Sequence, residues 1–223
     1  MLRRSKKDQL IFSLHGIKPV EAFCIKRDPC DKIDLRKRKE NMIILITGAS
    51  HTGKTLLAQR MLEKYKYPYL SIDHLKMGLI RSKNTDLTVF DDDALTDYLW
   101  PIVREMIKTA IENRQDLIVE GCYIPFDWRE DLDESYLPFI RFVCLAMTDE
   151  YIDLHFDEII SHESDIEKRL EDDDLNVQWL KEENRKYIDG FEKTKERVVL
   201  IESDYLKTMD TLIENFDDGS LLL

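Results

Sequence analysis

Met42-Ile43-Ile44-Leu45-Ile46-Thr47 runs directly into Gly48-Ala49-Ser50-His51-Thr52-Gly53-Lys54-Thr55. The first six residues form a nearly unbroken apolar run, the pattern of a parallel strand covered on both faces. The next eight match G-x-x-x-x-G-K-[ST] in full. Glycines at the ends of that spacing let the backbone wrap closely and aim its N–H groups at a polyphosphate. Lys54 adds a mobile positive charge for the β- and γ-phosphates, and the Thr55 hydroxyl is a ligand for Mg²⁺. A helix starting near Lys54 contributes the positive end of its dipole. The stretch predicts a nucleoside triphosphate site made by Gly48, Ala49, Ser50, His51, Thr52, Gly53, Lys54, Thr55 and Leu56. His51 occupies a variable position of the pattern and is assigned no chemistry.

Outward from this stretch, strand-like and helix-like segments alternate. A helix is expected over about 54–64, then a strand over 67–72 with Asp73 just past its end. Asp91-Asp92-Asp93 stand where they can cap a long helix whose apolar positions Leu95, Leu99, Ile102, Met106 and Ala110 keep 3–4 spacing. Pro101 inside that stripe is expected to kink it. A third strand is expected over 116–120 and a fourth over 140–146. Helical stretches over about 150–170 and 177–195 follow, separated by Glu171-Asp172-Asp173-Asp174. A fifth strand over 197–201 and a helix over 206–216 close the pattern. Such alternation specifies an α/β fold, a five-stranded parallel sheet with helices on both faces. Ligands of these sheets gather at the carboxyl ends of the strands. That rule singles out Gly48–Thr55, Asp73, Glu120–Cys122, Thr148–Asp149 and Ser203–Asp204.

Composition narrows the function classes. Of 223 residues 43% are hydrophobic, too many for a disordered chain, and no apolar stretch nears the roughly 20 residues of a membrane helix. Four cysteines are too few for a disulfide framework, which points to a reducing cytoplasm. Residues 1–41 carry 12 Lys/Arg against 6 Asp/Glu, whereas the remainder carries 21 against 39. The acidic body, 42–223, repels phosphate backbones and anionic membranes, so no nucleic acid or membrane partner is expected for it. Residues 1–41 read as a basic, partly ordered extension, dispensable for folding, with Met42 where a compact domain could begin. Cys24 and Cys30 lack the second Cys/His pair that a zinc site needs.

On the strength of its phosphate loop and its strand–helix order from Met42 to about Phe216, the chain resembles the small P-loop kinases of the adenylate-kinase-like group. Ser71-Ile72-Asp73-His74 looks like the acidic end of the second strand that many of them use at the acceptor. Ile118-Val119-Glu120-Gly121-Cys122-Tyr123-Ile124-Pro125 is similar to the strand–Glu–Gly segment of 2-phosphoglycerate kinase and zeta-toxin-like relatives. The resemblance implies a P-loop NTPase fold with ATP and Mg²⁺ as cofactors. The implied activity is transfer of a γ-phosphoryl group to a small anionic metabolite or a nucleotide. It also implies a lid-like helical segment over about 150–196.

Within that frame the carboxylates and cations take expected roles. Asp73 is the candidate for orienting or deprotonating an acceptor hydroxyl, with capping of the following helix as the competing role. Glu120, ending a buried strand, would be costly unpaired and is expected beside Mg²⁺ or substrate, or in a buried ion pair. Lys76 and Arg81 are candidates for an acceptor's negative charge, and Arg104 for an inward-pointing cation. In the resembled kinases a lid after the fourth strand brings arginines onto the transferring phosphate. Here His162, Lys168, Arg169 and Arg185 lie in that region, with Arg169 and Arg185 as the lid candidates and helix-surface ion pairing as the alternative. A lid so poor in arginine departs from adenylate kinases and counts against a nucleotide acceptor. Cys122 and Cys144 read as inert core thiols, and Ser203-Asp204-Tyr205 occupies the place where relatives contact adenine. A nucleotide-dependent switch or ATPase is the competing function, although no N/T-K-x-D motif is present and Glu120 is a lone acid. A toxin-like kinase acting on a nucleotide sugar is another.

Overall fold

Every residue of β1 (Ile43–Gly48) is buried, and its side chains divide by parity: Ile43 and Leu45 enter one core, Ile44 and Ile46 the other. This is the period of two of a strand covered on both sides. In this computed structural model, which describes residues 41–161 and 176–218, β1 is the centre of a five-stranded parallel sheet. The other strands are β2 (Tyr69–Ser71), β3 (Leu117–Glu120), β4 (Ile140–Met147) and β5 (Val198–Ile201), in the order β2-β3-β1-β4-β5. Among the described residues no helix is long and apolar enough to cross a membrane.

Helices cover both faces. On one, α1 (Lys54–Tyr65) supplies Leu57, Ala58 and Met61, and α6 (Tyr205–Asp218) supplies Met209, Leu212 and Phe216. On the other, α3 (Asp92–Glu112) supplies Leu95, Leu99, Val103 and Ile107. Each of the larger of these side chains, buried, contributes about 1.5–3 kcal/mol against the entropy of ordering the chain. Two more helices, α2 (Ile72–Arg81) and α4 (Asp149–Ser161), follow β2 and β4. The last, α5 (Val177–Lys193), belongs to both cores: Leu180 joins the α1/α6 side, whereas Tyr187 and Phe191 join the α3 side. Phe191 packs 4.9 Å from the rings of both Phe126 and Phe142.

Two local expectations are corrected. The second strand is shorter than 67–72, because Ile72 already begins α2. Asp91 stands at the N-cap position of α3, yet its carboxylate makes no cap bond to the helix. It accepts instead from the N–H and hydroxyl of Thr88, both at 2.7 Å, and those bonds hold its carboxyl below the ordinary range. The helix α3 is one element running through Pro101. Of the stretch expected to be helical over 150–170, α4 covers Asp149–Ser161, and the rest lies outside the described residues, as does 1–40.

The topology opens the site. From β1 the chain skips a place to β2, while from β3 it passes to β4 on the far side of β1, so the strand order reverses around β1. A crevice therefore opens at the carboxyl ends of β1 and β3. Register aligns its rim, pairing Ile46 with Glu120, Ser71 with Glu120, and Gly48 with Leu145.

Candidate active site

The phosphate loop is shaped by backbone demands. Gly48 has φ +140°, and a Cβ there would lie 2.0 Å from the Leu145 carbonyl oxygen. Gly53, at the N-cap of α1, has φ +79°, and a Cβ there would lie 1.7 Å from the Tyr205 hydroxyl. Neither position has the conformation or the room for a side chain. His51, also left-handed at φ 62°, completes the turn. The Thr52 hydroxyl and the Lys54 ammonium both donate to the Ala49 carbonyl, at 2.8 and 2.6 Å, and so fasten the loop from inside. Leu56, half-buried, follows in the first turn of α1.

Lys54 is only 6% exposed, and among the described residues it makes no ion pair with a carboxylate. A buried ammonium without an anion is costly, and an anionic ligand offsets that cost. The buried Thr47 hydroxyl, near the end of β1, likewise has no hydrogen-bond partner among the described residues. A cradle without room for a Cβ, a buried cation and an orphaned hydroxyl fit a bound polyphosphate.

Beside the loop stands Glu120, 1% exposed at the end of β3. Its Oε1 accepts from the Tyr69 hydroxyl at 2.7 Å, and its Oε2 lies 3.5 Å from the Thr55 hydroxyl. Burial pushes its carboxyl above the ordinary value, and the Tyr69 bond and the Lys54 charge only partly oppose this. Thr55 and Glu120 are hard oxygen donors of the kind Mg²⁺ accepts alongside water and phosphate.

Across the crevice the polar groups form a chain. Lys76 donates to Asp73 at 2.6 Å and to the Tyr123 hydroxyl at 2.8 Å, with its ammonium 4.8 Å from the Tyr123 ring. The Tyr123 hydroxyl donates in turn to Asp92 at 3.2 Å. Burial raises the Tyr123 phenol well above its usual range, so it stays a neutral donor. Asp73 lies in the first turn of α2 while Ser71 holds the N-cap position, and the carboxylate is engaged by Lys76.

The thiol of Cys122 lies two residues past the end of β3. It is pushed up to about 12, first by burial and then by the charge of Asp73, while Lys54, Lys76 and Glu183 also act on it. Cys122 is half-buried and packs against the core on the α3 side, in keeping with a core thiol. Cys144 is a buried core thiol, raised by burial to about 12.

Other expected residues are dispersed. Arg81 ends α2 and is exposed. Arg104 pairs with Glu105 at 3.2 Å and reaches Asp131 at 3.7 Å. Arg185, on α5, forms an ion pair with Asp149 at the start of α4. Arg169, with His162 and Lys168, lies outside the described residues. Asp204 accepts from the Lys207 N–H at 2.9 Å and so caps α6, while Tyr205 lies against Gly53.

Sequence reasoning missed the face of α5 that reaches the strand ends. The N–H and hydroxyl of Ser50 donate to the Glu183 carboxylate at 3.0 and 2.9 Å. The Met147 N–H donates to the Asn184 side chain at 2.7 Å, and the Tyr187 hydroxyl to the Cys122 carbonyl at 3.0 Å. The spacing 183, 184, 187 marks one helical stripe. Only the sheet order reveals that the stripe touches the loop after β1 and the ends of β4 and β3.

No family model matches the chain. A cytidylate kinase from Methanocorpusculum labreanum is 35% identical over 81 residues, which are 36% of this chain and 46% of that protein. The match thus spans about half the length of that relative. A solved structure from Chloroflexus aurantiacus, provisionally described as a kinase, is similar with a TM-score of 0.51 at 13% identity, covering 81% of this chain and 98% of the other. A shikimate kinase from Bacteroides thetaiotaomicron is similar with a TM-score of 0.48 at 17% identity, over 79% of this chain and 98% of the other. With the sheet order and the Gly48–Thr55 loop, the Chloroflexus likeness shows that the chain has the P-loop NTPase fold.

Proposed function

We propose that the chain is a small P-loop kinase, an ATP-dependent phosphotransferase that moves the γ-phosphoryl group of MgATP to a hydroxyl of a small metabolite or nucleotide. The observation that carries this reading is the buried, carboxylate-free Lys54 in a loop with no room for side chains at Gly48 and Gly53. The partial likeness to a cytidylate kinase supports the reaction class.

In this reading the backbone of Ala49–Thr55 and the first turn of α1, with Leu56, receive the phosphates, and Lys54 exchanges the Ala49 carbonyl for a phosphate oxygen. The Thr55 hydroxyl would ligand Mg²⁺, with Glu120 beside it through water. When bound, MgATP supplies the phosphoryl group and the charge that screens it. Asp73 would orient the acceptor hydroxyl and take its proton, and Lys76 would hold the carboxylate in place until then. Arg81 remains a proposed cation for the acceptor, and Arg169 and Arg185 proposed lid cations; Arg185 would first have to leave Asp149. The free thiols Cys122 and Cys144 suit a reducing cytoplasm, and the acidic body argues against a nucleic-acid partner.

The test is ADP release by purified protein with MgATP, alone and with cytidylate, other nucleoside monophosphates, 2- and 3-phosphoglycerate, sugars and polyols. Release that depends on one acceptor class is expected. Slow release indifferent to every acceptor would replace the kinase reading with a nucleotide switch.

A further inference from the structure

The phosphate loop already holds an anion that belongs to the protein. Ser50, third residue of the loop, gives both its N–H and its hydroxyl to the two carboxylate oxygens of Glu183, at 3.0 and 2.9 Å. A carboxylate bridging a loop N–H and an adjacent hydroxyl occupies donors of the kind that a phosphate would take. Its placement is fixed from behind. On the next position of α5, Asn184 is fully buried and bonds both the Met147 N–H and the Leu180 carbonyl, each at 2.7 Å. One turn further on, Tyr187 bonds the Cys122 carbonyl. Glu183 therefore projects from a helix clamped to the ends of β4 and β3, which holds its backbone beside the loop.

We infer that Glu183 is a specificity-determining residue that reads the number of phosphates on the nucleotide. The inference rests on the proposal that the loop takes a nucleoside triphosphate. Lys54, the buried cation that anchors the phosphates, is engaged with Ala49 on the inner side of the loop, whereas Glu183 sits at Ser50, three residues before Gly53. A diphosphate can be held by Lys54 and the start of α1 while Glu183 keeps Ser50. A further phosphate brought toward Ser50 competes with the Glu183 carboxylate for the same donors, and either the carboxylate gives up its two bonds from Ser50 or two anions stand side by side. Glu183 thus lowers affinity for the triphosphate while leaving the diphosphate nearly untouched, and so narrows the preference for the triphosphate.

Equilibrium binding to the full chain tests this, with MgADP and the non-hydrolysable β,γ-imido analogue of MgATP measured by calorimetry on the wild type, Glu183→Gln and Ser50→Ala. Glu183→Gln keeps the size and an acceptor oxygen but loses the charge. It is expected to tighten the triphosphate analogue roughly tenfold and to change MgADP less than about twofold. Ser50→Ala removes one of the two bonds to Glu183 and is expected to shift the same ratio in the same direction by less. Equal shifts for both nucleotides, or weaker triphosphate binding in Glu183→Gln with an unchanged melting curve, would overturn the inference and leave the nucleotide reading intact. Failure of the wild type to bind either nucleotide would overturn both.

Discussion

At the Gly48–Thr55 loop the polar surface offered to a ligand is backbone N–H groups and one buried ammonium. On the facing side it is a run of side chains, Asp73, Lys76, Tyr123 and Asp92, joined at 2.6, 2.8 and 3.2 Å. The first is fixed by φ angles and by the space denied to a Cβ; the second by hydrogen bonds between elements far apart in the chain. A backbone-built site serves any nucleotide polyphosphate and needs only a short run of residues. A side-chain-built one can be tuned to a particular acceptor and depends on the whole fold to assemble it. If that division is right, substitutions on the two sides should affect different halves of the reaction.

The largest effect is expected on the loop. Lys54→Ala should abolish transfer and weaken nucleotide binding, while the melting temperature holds or rises because a buried charge has been removed. Near-normal turnover in that variant would end the phosphate-loop reading. Next comes Asp73→Asn, expected to keep nucleotide binding but to lose about 10²–10⁴-fold in transfer. If transfer is unchanged, the carboxylate serves only to anchor Lys76 at the start of α2. Tyr123→Phe cuts the link between Lys76 and Asp92; about a tenfold rise in KM for the acceptor, with KM for ATP unmoved, is expected. A change in both constants would show that the two sides are not separable.

The smallest expected effect concerns stability at the boundary between the two sides. Burial raises the Glu120 carboxyl above its ordinary 4.5, so its folded form prefers the proton. The stability it allows is full below about 4.5 and is lost as pH rises through the higher folded value, because the ionised group must then be buried. Glu120→Gln should therefore melt a few degrees above the wild type near neutral pH and converge with it in acid, at about 2–4 °C per kcal/mol for a chain of this size. Parallel melting profiles across that range would show that Tyr69 and Lys54 fully offset the burial. The same variant should need more Mg²⁺ for transfer.

Much of the scaffold was legible because its signals are local. The apolar run of Met42–Ile46, the glycine spacing of the loop and the apolar stripe of α3 each depend on neighbours within a few residues, and each reappears in the structure. Boundaries failed where a tertiary preference intervened: Ile72 left the strand to begin α2, and Asp91 bonded Thr88 instead of its helix. The Asp73 side was legible only as a list of candidates, since Lys76 and Tyr123 stand 47 residues apart and nothing local reports that they meet. Arg104 and Arg185 had plausible sequence positions, yet each turned to an acid on another element.

By itself the sequence determined a parallel α/β sheet and a loop for a polyphosphate, because period, glycine spacing and the Lys-Thr pair are properties of the chain before it folds. Tertiary structure alone decided that Glu183, 133 residues from Ser50, is the anion at the loop, and that Lys76 bonds both Asp73 and Tyr123. Both outcomes follow from the strand order β2-β3-β1-β4-β5, which brings the carboxyl ends of β1 and β3 and the stripe of α5 to one rim. Electrostatics act through space, and the sequence orders residues only along the chain.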